Sequence, residues 1–286
     1  MLFKNSVSTN ISVYDFFFIL LIVGLVKTLF FFTGFILEDS FIVFRSAFHL
    51  ADYGIFSYNL DEVNSGTTSK IFGLICAFFR KFFNDYAIIS IVLFNSLISF
   101  LSSLLIFISI KNLFGIQILA KRENLFFLIV FIFLNPSISL IGIVGLEFSI
   151  LVFFISLVLL GISKDYKFLL ISSIFIPFIR IEMIGFILIL SFYYLYFFNF
   201  KSSFIVLISG ILGAFLNGLL NNRYDGTFFP GPAVSKWNTL SNEGAFTFER
   251  IINDIYFWFF SAERSFFLGV YSNFIPKIIY VFFCIY

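Results

Sequence analysis

Two adjacent carboxylates, Glu38 and Asp39, follow directly on an apolar run that begins near residue 13. A carboxylate at such a boundary can act as a general base or hold a divalent cation, magnesium or manganese, and neighbouring acids push one pKa upward. Ordinary solvated residues at a helix end would look the same. Glu147 and the pair Arg180 and Glu182 lie at the ends of short, tightly connected apolar runs. Ionisable groups among membrane helices are costly and face an interior or a watery cavity. These three residues therefore serve either a site or an internal ion pair. Arg223 and Asp225 open a segment continuing through Gly226 and Pro230-Gly231-Pro232. That composition predicts a stiff, non-helical path whose basic residue could bind a phosphate, or a plain solvated turn.

Other reactive residue types offer less. Lys27 sits in the middle of the first apolar run, a depth from which its ammonium reaches water with difficulty. His49 has no cysteine or second histidine nearby, and zinc requires three or four ligands. It reads as a plain loop or interfacial residue. Cys76 and Cys284 are far apart and indicate neither a disulfide framework nor a metal site.

The elements that must carry these residues follow from hydrophobicity. The chain has 286 residues, 60% of them hydrophobic and 12% charged. A soluble domain carries roughly 25% charged residues, so the expected solvent is lipid. The 50 phenylalanines are large apolar filler and carry no function. A net charge of +2, with scattered basic residues, excludes a nucleic-acid surface. A membrane helix needs about 20 apolar residues. The runs are 13 to 37, 86 to 110, 124 to 141, 146 to 162, 168 to 180, 183 to 198, 203 to 220 and 266 to 286. The short run 168 to 180 could be a span ending in a tight turn or half of a broken helix, and 71 to 83 reads as interfacial or re-entrant. The expected fold is an all-α polytopic membrane protein of about eight spans, forming one domain over residues 1–286. No cleavage site follows Lys4, so the first span is expected to be retained.

Lysine and arginine are retained on the cytoplasmic side of short loops. Lys111, Lys121, Arg122, Lys164, Lys167 and Lys201 fall in alternate connections, which places the N-terminus in the cytoplasm of a plasma-membrane protein. The long loops, about 38 to 85 and 221 to 265, then face outward. Of the 16 acidic residues, all but Asp15, Glu123 and Asp165 come to the outer side.

The run from Glu38, E-D-S-F-I-V-F-R-S-A-F-H-L-A, resembles the D-D-A-F/Y-I-x-F-R-Y-A-x-N-L-A stretch of arabinofuranosyltransferase-like GT-C enzymes. Gly54-Ile55-Phe56 resembles that family's G-L-V turn, and Glu62 through Ser69 its E-R-V-E-G-Y-T-S. Asn135-Pro136, Val144-Gly145-Leu146-Glu147 and Ile179-Arg180-Ile181-Glu182 are similar to its N-P, S-G-L-E and T-R-P-E. Arg223 through Pro230 and Lys236 resemble Y-Y-G-D-L-L-P-N-T-x-x-A-K. The resemblance covers residues 13 to about 240. Glu38 stands for an aspartate, Ile181 for a proline and Gly231-Pro232 for Asn-Thr, and the family's later spans and C-terminal soluble domain are missing. The chain also ends inside an apolar run, which leads us to expect a piece of a longer gene.

The resemblance implies a GT-C-like bundle with a long first outer loop containing short helices. It implies an inverting glycosyltransferase that moves a sugar from a polyprenyl-phosphate donor to a cell-envelope glycan or lipid acceptor. Asp39 would deprotonate the acceptor hydroxyl beside Glu38, either of which could hold the cation. Arg45, Glu147, Arg180, Glu182, Arg223 and Lys236 would bind substrate, Arg180 or Arg223 neutralising the leaving phosphate. Two other readings compete: a transporter or flippase of lipid-linked sugars, and an inactive truncated homologue.

Overall fold

A computed structural model describes residue 36 and residues 38–62, 64–114, 145–163 and 166–234. Except for Val234, these belong to the compact unit Met1–Ala233. The expected runs 13 to 37, 124 to 141 and 266 to 286 lie outside the described residues, apart from Ile36, and so does Lys27.

The described residues are helical, with no strand among them. Seven α-helices follow in order: α1 (Glu38–Tyr53), α2 (Lys70–Phe83), α3 (Ala87–Phe114), α4 (Phe148–Ser163), α5 (Tyr166–Ile179), α6 (Ile184–Phe197) and α7 (Phe200–Asp225). Short 3-10 turns, Asn84–Tyr86 and Ile181–Met183, join α2 to α3 and α5 to α6. Among the described residues two stretches are long and apolar enough to cross a membrane: Lys70–Ile110, which runs through α2 into α3, and Phe200–Asp225. At 1.5 Å per residue α3 and α7 are about 42 and 39 Å long, whereas the 14-residue α5 and α6 reach only about 21 Å. Arg180 takes an extended conformation between α5 and the 3-10 turn. The 168 to 180 run is thus a helix ending in a tight turn.

Local chemistry sets the ends. The Ser69 hydroxyl accepts from the Phe72 amide at 3.4 Å and caps α2. The Asn199 side chain caps α7 by accepting from Ser202 N at 2.7 Å. Gly226, at φ 69°, closes α7 in the left-handed conformation that glycine adopts at little cost. Arg223 and Asp225 therefore occupy the last turn of α7 rather than an outer loop, and Gly231 onward forms a helical turn, with Ala233 N bonded to Pro230 O, where a non-helical path was expected. Neither proline there needs an amide hydrogen within the first turn, which is why the segment can coil.

Two clusters hold the helices together. Val43, Phe44 and Ala47 of α1 pack with Phe72, Cys76 and Ala77 of α2, Ile91, Leu146, Ile150 and Ile179. Leu151, Val158, Leu169, Ile176, Ile187, Leu190, Tyr194 and Val206 join α4 through α7. Small residues permit close approach. A methyl group added at Gly213 of α7 would run into the Ile174 carbonyl of α5, and one at Gly161 would meet the Leu169 backbone. Asn217 of α7 donates to the Phe178 carbonyl at 2.8 Å, satisfying an acceptor at the end of α5.

Candidate functional site

Positions 38, 41, 42, 45, 48 and 49 recur at three- and four-residue spacing, so they share one face of α1. That face lines a cavity of about 640 Å³, to which Asp39, Tyr58 and Ile88 also contribute. The opposite face carries Ser40, Val43, Ser46 and Ala47, all buried, and fixes the helix against the core. Glu38 and Asp39 are exposed in the first turn, where the helix dipole favours negative charge. The Arg45 guanidinium lies 4.5 Å from the centre of the Tyr58 ring and reaches Asn59 Oδ1 at 3.4 Å. His49, read from the sequence as a plain loop or interfacial residue, is helical and lines the cavity, its Nδ1 3.0 Å from the Ser57 carbonyl oxygen.

A second constellation joins the start of α4 to the loop before α2 and to the turn between α5 and α6. The Glu147 carboxylate is buried at 3% exposure, accepts from the Thr68 hydroxyl at 3.1 Å and pairs with Arg180 Nη1 at 3.4 Å. Arg180 also binds Glu182 Oε1 at 2.6 Å. Gly145, at φ 75° beside Ser40 and Phe44, lets the chain pass close to α1 before α4 begins. Asn95 donates to the Leu146 carbonyl at 3.2 Å and accepts from the Ser149 hydroxyl at 2.8 Å.

A third interaction was not legible in the sequence. Lys70 Nζ lies 2.6 Å from Asp225 Oδ2, both side chains nearly inaccessible at 1% and 2% exposure. Lys70 also donates to Ser65 Oγ at 2.7 Å and the Thr67 carbonyl at 2.8 Å. Asp225 accepts from the backbone amides of Ser65 at 3.2 Å and Gly231 at 3.3 Å. The Ser46 hydroxyl binds the Ser65 carbonyl, so α1 joins the same knot. A lysine placed between Thr67-Thr68-Ser69 and an apolar helix is the only sequence cue, since its partner lies far along the chain.

The expected site residues thus divide. Glu38, Asp39 and Arg45 share the cavity. Glu147, Arg180 and Glu182 form an ion-pair cluster and are not among its lining residues. Arg223 is exposed on α7, and Lys236 lies outside the described residues. Among the described residues no group of three or more His, Cys, Asp or Glu side chains could enclose a metal. The donor set at Glu38 and Asp39 fits a magnesium-type ion bound by one or two carboxylates and completed by water or a ligand's phosphate oxygens.

No family model matches the sequence, and no curated protein or solved structure matches it.

Proposed function

We propose that the chain is a multi-pass membrane glycosyltransferase of the GT-C kind, passing a sugar from a polyprenyl-phosphate donor to a glycan or lipid acceptor outside the membrane. The observation that carries this reading is the α1 cavity, which sets Asp39 and Glu38 at one end and Arg45 on the same helical face. Asp39 accepts the proton of the acceptor hydroxyl as that oxygen attacks the anomeric carbon. The bond between the anomeric carbon and the phosphate oxygen breaks with its electron pair on that oxygen, and configuration inverts. A magnesium or manganese ion held by Glu38 or Asp39 would supply positive charge at the acidic end of the cavity.

The membrane reading draws support from an inverted pattern of burial. Leu93, Leu97, Ile189, Phe192, Ile208, Ile211 and Phe215 are exposed, while Ser102, Ser103, Ser149, Ser156, Ser172, Ser173 and Asn217 are buried. Lipid rewards apolar surface and leaves small polar groups to face neighbouring helices. The outward orientation of the site rests on the lysines of the alternate connections. It is consistent with the ends of α4 and α7 meeting the one loop 64–70, and with Arg180 at the end of α5 pairing with Glu147.

The test is transfer by the full chain in liposomes. Radiolabelled polyprenyl-phosphate sugar should yield a lipid or glycan product with inverted anomeric configuration, read by NMR. Retention of configuration, or movement of the intact donor across the bilayer without transfer, would replace this reading with a double-displacement enzyme or a flippase.

A further inference from the structure

We propose that the α1 cavity binds a lipid-borne phosphate between Arg45 and His49, which makes His49 a ligand-binding residue. This rests on the cavity being the transfer site, and it assigns the phosphate end of that site.

The cavity is polarised along α1. Its acids stand in the first turn, and Arg45 and His49 stand about one turn apart further along the helix. Asp39 to Arg45 is an axial rise of about 9 Å, and Asp39 to His49 about 15 Å. A group attached to a phosphate held by Arg45 and His49 therefore extends toward the acids. That order places the base and the departing phosphate on opposite sides of the transferred group, as in-line displacement demands.

Both residues have ring or guanidinium nitrogens left for a ligand. A guanidinium carries five N–H donors in a fixed fork. Among the described residues Arg45 makes no ion pair, and its hydrogen bond is the long one to Asn59. The Tyr58 ring holds its plane without consuming donors. At His49, a carbonyl can only accept, so the contact with Ser57 O puts a hydrogen on Nδ1 and leaves Nε2 for a ligand. That nitrogen shares a proton with a phosphate oxygen, as acceptor from a P–O–H or as donor to a P–O⁻. Arg180, by contrast, already engages Glu147 and Glu182. The role of neutralising the phosphate passes to Arg45.

The rest of the lining says what carries the phosphate. Phe41, Phe44, Phe48 and Ile88 present aromatic and aliphatic surface beside Arg45 and His49. A free phosphate gains nothing from such a wall, whereas a hydrocarbon chain gains roughly 0.8 kcal/mol for each buried methylene.

His49 is the one histidine of the chain, so the full protein, labelled with carbon-13 histidine and purified without a histidine tag, gives a single imidazole signal in detergent micelles. Titration with a polyisoprenyl monophosphate should shift that signal saturably, with affinity at least about tenfold above that of inorganic phosphate. The matching polyisoprenol should leave it unmoved. Arg45→Gln should keep the unbound signal and lose about tenfold or more in affinity, and His49→Gln should lose bound lipid phosphate in native mass spectrometry. Equal affinity for inorganic phosphate would overturn the lipid source. A missing shift, an equal shift with the polyisoprenol, or undiminished binding in Arg45→Gln would overturn the site. Binding without any transfer would sink the transferase reading and keep this site, while transfer without a His49 shift would sink this site alone.

Discussion

Breaking the Lys70–Asp225 pair tests how the fold is held. In Lys70→Ala the Asp225 carboxylate keeps two backbone donors at 3.2 and 3.3 Å and loses its only cation among the described residues, which sat at 2.6 Å. Ser65 Oγ and the Thr67 carbonyl lose a charged donor in the same step. With both side chains almost wholly buried, an uncompensated charge is left in place, and the expected cost is about 3–5 kcal/mol. Asp225→Ala strands the ammonium and should cost a similar amount. The double change Lys70→Met with Asp225→Leu removes both charges and should recover most of the loss, because well-packed apolar pairs often replace buried ion pairs without penalty. The assay is reversible denaturation in mixed detergent–SDS micelles, followed by circular dichroism, for the four members of the cycle. Losses below about 1 kcal/mol, or additivity within about 0.5 kcal/mol, would refute the claim that this pair locks the loop to α2 and α7.

Gly213→Ala should destabilise the same preparation by about 1–3 kcal/mol, because the new methyl group meets the Ile174 backbone rather than a movable side chain; an unchanged midpoint would mean α5 and α7 are not in close contact. Arg180→Ala should cost about 1–3 kcal/mol by stripping the buried Glu147 of its cation and leaving it Thr68. Arg180→Lys should recover part of that loss, and identical stabilities of all three proteins would count against the cluster. A reporter fused after residue 118 should be cytoplasmic and one fused near 240 external, as activity of paired phosphatase and fluorescent fusions would show; the reverse would turn the cavity inward.

Much of this architecture was legible because hydrocarbon demands long apolar runs. The runs 86 to 110, 146 to 162, 168 to 180, 183 to 198 and 203 to 220 correspond to α3 through α7. Ends were harder. Hydropathy falls after residue 220, yet α7 continues to Asp225, because Asn221 hydrogen-bonds Asn217 and Asp225 is held by Lys70. The sequence pattern marked the 38 to 85 segment as a long loop with an interfacial or re-entrant stretch at 71 to 83, and the resemblance added short helices. It did not reveal that α1 runs for 16 residues, with one face in the core and the other in a cavity. That His49 lies on α1 and lines the cavity stayed hidden for the same reason, since a lone histidine in a mixed segment carries no periodic signal. The pairings Lys70 with Asp225 and Thr68 with Glu147 join residues whose separation no local pattern encodes. The apolar dipeptides around Glu147 and Arg180 announced that these charges sit at helix ends, and the structure pairs them with each other.

The central claim, that Asp39 is the base of a sugar transfer, is tested most directly by comparing Asp39→Asn with Glu38→Gln in the full chain. Both replacements preserve shape and remove a carboxylate, and both residues are exposed at the same end of α1. A base must come within roughly 3 Å of the acceptor hydroxyl, and the longer arm of Glu38 suits a supporting or metal-holding place. With polyprenyl-phosphate sugar as donor, Asp39→Asn should lower the transfer rate by about 10² or more, the scale of a lost general base, and Glu38→Gln by less. Transfer by Asp39→Asn at the parent rate would contradict the account.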